Sequence, residues 1–498
     1  MANATYVLEI DWNNDDDFSD VYEAVTTNVI SIETRRGRDY ASQLTGRTSP
    51  GRLIAVLKNP SGLYSSYNTL SPLYGSILPG RKVRLRTTAP VASTLWTGVL
   101  SRITPTGSNF GVPTVQLEAI GPLARLNYKS ISAIKLLSQT TGAIMDEILD
   151  QAGWPAGERS IDTGEMSIDV WYENNINAFG ALREIEETEL GFIYEDKSGY
   201  FVFEDRHHRL TGSHIISQQT YSDAPAASMS YTSIEQIDAL DEIYNEVIVG
   251  VQSYTIGSAV TTLWTLDGET LTVKAGYTST IWAEYPNVAV DTNSGALVDT
   301  WTTPVKGVDL VQSDTSYSDL DVVATKFANS MKIAITNNSA VTVTFTLVRA
   351  RGIKITKNTA VTIQNADADS ISKYGTRTYK LPSKWLQSTL AAEDYAAYII
   401  GDYKDPSPKI SLRYIANKNS TSLLDALERE ISDRVTVTAT GALTELGISN
   451  DFFVEAIAHR ISNGGQLHEI ELTLSSAGAA EYWIIGTSLL GTTTKLAF

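Results

Sequence analysis

Apolar and polar side chains trade places residue by residue over long stretches of this chain. Only a strand with one buried face satisfies that period of two. Lys82-Val83-Arg84-Leu85-Arg86, Thr342-Val343-Thr344-Phe345-Thr346-Leu347-Val348 and Arg434-Val435-Thr436-Val437-Thr438 all show it. Asn463-Gly464 separates Ile457–Ile461 from Leu467–Leu472, and both residues tolerate the positive φ of a tight turn, so a hairpin is predicted there. The fold expected from this pattern is mainly β.

Helical spacing is confined to a few places. Thr141 is read as the cap of a helix carrying Met145, Ile148, Leu149 and Ala152 on one face and stopped by Gly153 and Pro155. A second helix runs from about Asn175 with Ala178, Ala181, Leu182 and Ile185 inward, and ends at Gly191. Phe192-Ile193-Tyr194 and Tyr200-Phe201-Val202-Phe203 then read as a hairpin around Lys197-Ser198-Gly199. Shorter helices are expected near Leu390–Tyr403 and Ser422–Glu430.

The 498 residues, 42% hydrophobic and 19% charged, suffice for several buried cores. No run approaches the roughly 20 apolar residues of a membrane-spanning helix, and Met1-Ala2-Asn3-Ala4 opens no secretory signal. Cysteine is absent, which excludes disulfides, thiolate zinc sites and cysteine nucleophiles. A net charge of −18 argues against general nucleic-acid binding. The expected division is a β domain over 1–127, an α+β helix-plus-hairpin segment over 128–215, a β start over 216–254, an inserted β-sandwich-like domain over 255–355, a β completion over 356–475 and a tail over 476–498.

Chemistry-bearing clusters are sparse. Asp11, Asn13 and Asp15 have the spacing by which a loop wraps oxygens around calcium, but Asp16 stands where glycine makes the sharp turn and Tyr22 where a glutamate closes the site. Glu23 comes one place late, and an acidic solvated hairpin tip is the plainer reading. His207 and His208, taken as neighbours on one strand, point to opposite faces; His459 and His468 face each other across the Asn463-Gly464 turn and read as a surface pair. No nucleophile elbow, zinc-protease helix or phosphate loop is present, so no catalytic residue is named. The charge pattern says more. Ten basic residues (Arg35, Arg36, Arg38, Arg47, Arg52, Lys58, Arg81, Lys82, Arg84 and Arg86) lie between Glu33 and Arg86 with Asp39 as the only further acid, which suits electrostatic docking.

Several segments, in their order, resemble the hub or tail-tip proteins of long-tailed bacteriophages. They are Ile32-Glu33-Thr34-Arg35-Arg36-Gly37-Arg38, Gln43–Arg47, Pro50–Leu53, Leu78-Pro79-Gly80-Arg81-Lys82-Val83-Arg84-Leu85 and Trp96-Thr97-Gly98-Val99-Leu100. Ala181–Phe203, Asp369–Gly375, Ser432–Val437, Phe453–His459 and Trp483–Gly491 continue the resemblance. It implies two tail-tube-like β-barrels in one chain and an inserted β-rich domain. It also implies a homotrimer adapting the sixfold tube to a threefold tip, located in the virion at the tail tip. The implied partners are a distal tail ring, a tape measure and tip fibre or receptor-binding proteins, with DNA passing only in transit through an acidic lumen. Arg35, Arg36, Arg38 and Arg47, with Trp483, Leu489 and Leu490 of the C-terminal segment, are the expected assembly contacts. A sixfold distal ring protein and a β-rich carbohydrate-binding or hydrolytic protein are the alternative readings.

Overall fold

The computed structural model describes residues 2–477 apart from 40–43, 45–46, 108, 110, 132–133, 174, 226, 267–269, 286–296, 315, 383–384 and 442–443, and beyond 477 only 481–482 and 494–495. The protein is mainly β. Its centre is a sheet of 13 strands. Apart from the two-residue strand Arg47–Thr48, the sheet divides into an N-terminal and a C-terminal set of six. The N-terminal set is β1 (Thr5–Ile10), β2 (Val29–Asp39), β3 (Arg52–Lys58), β4 (Lys82–Ala89), β5 (Ser93–Thr106) and β6 (Thr114–Ile120). The C-terminal set is β7 (Gln219–Ser222), β8 (Ser233–Ile237), β9 (Lys409–Ile415), β10 (Arg434–Ala439), β11 (Ile448–Ser462) and β12 (Leu467–Ser476).

The two sets share one topology. Side by side, the first runs β1-β4-β5-β6-β3-β2 and the second β7-β10-β11-β12-β9-β8. They also share register. One bulge recurs at the same place in both sets: β5 against β6 between Leu100 and Arg102, and β11 against β12 between Val454 and Ala456. The N-terminal set has three further register shifts, at Thr5/Tyr6, Val29/Ser31 and Leu85/Arg86. Counting from the bulges, Val99 opposite Lys82 corresponds to Phe453 opposite Arg434, and the seven residues of β3 correspond to the seven of β9. One orientation differs, since β1 is antiparallel to β4 whereas β7 is parallel to β10. A bulge costs the ladder a pair and re-aims the strand, so its recurrence at one register position marks a repeated architectural device.

The sets are welded. Ser31–Gly37 of β2 pair antiparallel with Ser462–Ala456 of β11. Alternation puts Leu8, Leu85, Trp96 and Leu117 of the first set, and Tyr414, Val437, Phe452 and Leu472 of the second, into one continuous core.

Three further bodies hang on this sheet. Helices α1 (Thr141–Ala152) and α2 (Ala178–Glu189) pack with the hairpin Phe192–Glu195/Phe201–Glu204 around Ile148, Trp171, Leu182 and Phe203. The N-cap of α1 is Thr140, one residue before the expected Thr141, and Asn177 caps α2, two residues after the expected start. The strand Val343–Lys357 gathers five strands from Tyr254–Gln312 and lies over the sheet Thr278–Glu284/Ser330–Asn337/Leu320–Lys326, with Val273, Trp301, Ile333 and Phe345 between them. The third body is the sheet Val361–Ala366/Glu246–Val251/Thr378–Leu381, covered by α4 (Thr389–Tyr403) beyond the short α3 (Ala368–Tyr374).

The expected β completion over 356–475 therefore divides. Residues 361–403 join 246–251, and the second six-strand set takes β7 and β8 from before residue 238 and resumes at Lys409. Edge pairing explains the split, because Glu246–Val251 finds its partners in the returning chain and not in the central sheet. A last helix, α5 (Ser420–Glu428), crosses between β9 and β10. Among the described residues no helix is long and apolar enough to cross a membrane.

Candidate assembly interface

Part of the basic segment predicted to dock on a neighbour is engaged within the chain, whereas Arg35, Arg52, Lys58 and Lys82 are exposed. Arg36 is buried, and its Nη1 donates to Glu430 Oε1 at 2.6 Å and to the Glu195 carbonyl at 3.2 Å. Arg38 lies 3.8 Å from Glu455 and stacks 3.7 Å over the Phe192 ring. Arg84 and Arg86 both hold Glu9, at 2.8 and 2.6 Å, which lowers the Glu9 pKa against the effect of burial. These cations are intramolecular fasteners, and their acids stand tens to hundreds of residues away. Of the expected contacts only Arg35 is described with an exposed side chain. The Arg47 side chain, Trp483, Leu489 and Leu490 lie outside the described residues.

A buried polar weld surrounds the C-terminal bulge. Glu455, fully buried, accepts from Arg209 Nη1 at 2.6 Å and from the Ser475 hydroxyl at 2.7 Å. Burial opposes its charge, yet Arg209, Arg38 and these hydrogen bonds bring its pKa down to about 2. Ser432 donates to Glu204, so α+β segment and sheet share one polar cluster. On the N-terminal side Glu195 accepts from the amides of Gly51 at 2.6 Å and Leu123 at 3.0 Å. A Cβ on Gly51 would sit 2.5 Å from that carboxylate, so the approach requires glycine. Burial pushes the Glu195 pKa up to about 7 despite those amides and Arg36.

The histidines depart from expectation. His207 and His208 sit on a turn and a 3-10 helix after the strand, with His208 Nδ1 2.7 Å from Asp162. His459 and His468 are core residues: their rings meet at 3.0 Å (Nδ1 to Nε2), and the Tyr6 hydroxyl bonds His468 Nδ1 at 2.7 Å. Period two gave the signal, because His459 shares its face with Ile457 and Ile461, and His468 with Ile470 and Leu472.

Among the described residues the central sheet has strand edges without a strand partner at β1, β7 and β8 and along part of β5, and the last two bear on assembly. The outer edge of β8 has no partner, because the central sheet ends there. On β5, pairing with β4 stops at Val99, and two last amide bonds involve Leu100, so Ser101–Thr106 lack a neighbour on that side. These edges correspond by position to the two that form the welded seam. Ser233-Ile234-Glu235 of β8 repeats Ser31-Ile32-Glu33 of β2 in place and in sequence. Ile103 of β5 corresponds to Ile457 of β11. Burial registers what is missing: Ile32 and Ile457 are 2% and 1% exposed, whereas Ile234 and Ile103 are only half-buried.

The sheet face opposite the core carries ion pairs of both signs. Glu33–Arg460 (3.2 Å), Arg52–Glu118 (3.2 Å) and Arg413–Glu471 (3.1 Å) form its rows. Charges of both signs are thus paired along this face.

The acidic loop after β1 also gathers differently. Asp11, Asp15 and Glu23 place carboxylate oxygens within 4.8 Å of one another, and Asn13 serves as a brace, donating to Asp15 at 2.8 Å and Asp20 at 2.6 Å.

No family model and no curated protein matches the chain. Among solved structures it is similar to the tail protein from Neisseria meningitidis MC58, at 10% identity and a TM-score of 0.51 over 95% of this chain and 97% of that one. The 43 kDa tail protein of prophage MuSo2 from Shewanella oneidensis aligns at 11% identity and a TM-score of 0.48, over 94% and 97%. The E. coli c3393 protein, a type VI secretion component, aligns at 9% and 0.37 over 95% and 77%. The chain shares the fold of the Neisseria tail protein.

Proposed function

We propose that this chain is a structural virion protein forming the hub at the distal end of a phage tail. Three copies make a ring of six equivalent units that adapts a sixfold tube to a threefold tip and leaves a channel for the genome. The likeness in fold to a tail protein supports the setting. The observation that carries the reading is the duplicated six-strand set, with its shared order, register and bulge, inside one polypeptide. A ring of six separate chains needs one set per chain, so two sets favour three chains.

The internal seam supplies the template for closing that ring. Three seams of the β2–β11 kind lie within chains, and three between chains join β8 of one copy to the open part of β5 of the next. Transferring the register of the first seam sets Glu235 opposite Thr106, Gln236 opposite Pro105 and Ile237 opposite Thr104. Pro105 brings no amide to this ladder. Pairing these two edges removes two of the strand borders that otherwise invite aggregation. The channel wall is then the ion-paired face of the sheet. The hub carries no catalytic residue in this reading, and a distal tail ring, a tape measure and tip fibres or receptor-binding chains are its neighbours.

The test uses the absence of cysteine. Native mass measurement of the full chain is expected to give three copies; one or six copies overturns the hub. In the double variant Glu235→Cys and Thr106→Cys, oxidation is expected to yield a covalent trimer on a denaturing gel, because opposed strand residues lie within disulfide reach. Glu33→Cys with Arg460→Cys is the control, forming its bridge within one chain. A native trimer whose Glu235→Cys/Thr106→Cys variant stays monomeric after oxidation overturns the seam and leaves the trimer standing.

A further inference from the structure

Two buried carboxylates stand together after β1 with no basic side chain bonded to either among the described residues. Asp11 is 0% exposed and Glu23 1%. Both are fixed by backbone: the Ile10 amide donates to the Glu23 carbonyl at 2.9 Å, and the Asp11 amide donates to the Lys82 carbonyl at 3.0 Å. Asp11 Oδ1 accepts from the amides of Asn14 and Asp15, at 2.5 and 3.2 Å, and its Oδ2 accepts from Asp16 at 3.1 Å. Glu23 Oε2 accepts from the Asp20 amide at 2.9 Å, while its Oε1 is buried and receives no donor. Asp15 closes the group from the solvent side, with one oxygen of each of the three residues inside a 4.8 Å span. Lys82, whose carbonyl holds the Asp11 amide, directs its ammonium to Asp16 at 2.6 Å, outside the group. A buried carboxylate with an acceptor oxygen lacking a donor, facing the like charges of Asp11, Asp15 and Asp20, costs free energy that a bound water reduces and a proton or a cation removes.

We propose that Asp11, Asp15 and Glu23 bind one calcium ion. The donors are all hard oxygens, which suits calcium or magnesium and not the nitrogen and sulfur chemistry of zinc. Calcium is favoured because it accepts irregular sets of carboxylates completed by water, whereas magnesium demands a near-ideal octahedron. Both rigid ligands flank the end of the β1–β4 ladder and the third comes from the turn between them, so the ion ties the loop over 11–25 to the sheet. The inference does not depend on the hub reading, since the site lies within one chain.

Calcium titration of the full chain, followed by calorimetry and thermal unfolding, tests it. One ion per chain and a rise in Tm reversed by chelator are expected, with magnesium bound at least tenfold more weakly. Asp15→Asn, at an exposed position, is expected to weaken calcium at least tenfold while leaving the chelated protein's Tm unchanged. Glu23→Gln removes a buried charge and is expected to raise the Tm in chelator and abolish the response to calcium. Trp12, beside Asp11, gives an independent readout through sensitised terbium luminescence, which calcium displaces. Absence of calcium binding by the parent chain, equal affinity for magnesium, or a calcium response that survives both substitutions overturns the proposal.

Discussion

The N-terminal and C-terminal six-strand sets are built on one plan and finished differently. In the C-terminal set the long strand β11 is covered along its last half by β2, and its bulge residue Glu455 is buried under Arg209. In the N-terminal set the matching stretch of β5 is bare, and its bulge residue Ser101 is exposed, with only its hydroxyl bonded to the Glu118 carbonyl at 3.0 Å. The links between second and third strands differ too. In the first set the link is 40–51; in the second it is 238–408, which carries two additional bodies. A fixed strand order therefore tolerates large change in its loops and edges. What the sheet needs is the register, and both sets keep it.

The largest contrast lies at the bulges. Arg209→Ala leaves Glu455 buried with its main partner gone and is expected to cost about 3–5 kcal/mol in urea unfolding. Ser101→Ala at the matching place stays within about 0.5 kcal/mol. The Glu455 contribution has a defined pH window. Its folded pKa, about 2, lies below the ordinary 4.5, so the stabilisation is present above 4.5 and is lost as pH falls toward 2. An Arg209→Ala cost below that of Ser101→Ala would erase the distinction between the two bulges.

A smaller contrast measures the missing strand. Ile457→Ala, in the covered stretch, is expected to cost about 2–5 kcal/mol. Ile103→Ala is expected to cost roughly half as much in the isolated chain, because its side chain is only partly out of water. In the assembled ring the two costs should converge, since β8 of a neighbour then covers Ile103. A gap that persists in the trimer breaks the proposed equivalence of the seams.

Local features were readable in the sequence, and distant pairings were not. The tight turn at Asn463-Gly464, the hairpin at Lys197–Gly199 and the helices α4 and α5 follow from signals a few residues long. The basic run was legible as a run, but its meaning was not. Arg36 finds Glu430 across 394 positions, and Arg209 finds Glu455 across 246. No periodicity in either segment carries the other's address. The duplication leaves little trace, because strands of one topology need only alternation. Ser-Ile-Glu at 31–33 and 233–235 is the clearest remnant, and it becomes meaningful once the pairing aligns it. In the acidic loop, spacing pointed to Asn13, whereas folding brought in Glu23, whose backbone is set by pairing with β1.

The histidine pair offers the finest test of the difference between the sets. Tyr6 of the N-terminal set bonds His468, which bonds His459 on the seam strand β11, so the chain of hydrogen bonds joins the two sets beside the welded seam; at the open edge the position matching His459 is Pro105, which has no proton to exchange. Burial lowers the His468 pKa to about 3, and burial with the neighbouring ring, Arg36 and Lys197 lowers that of His459 well below its usual value. The unfolded chain takes up protons near pH 6.5 that the folded pair refuses. Stability from the pair is therefore complete above about pH 6.5 and falls with acid by about 1.4 kcal/mol per pH unit for each histidine, down to the folded pKa. Between pH 5 and 6.5, His468→Gln should remove one histidine's share of that slope, and every carboxylate contribution common to parent and variant cancels in the difference. An unchanged slope would mean that the pair opens to water in the folded protein, and that the welded seam is no tighter there than the bare edge of β5.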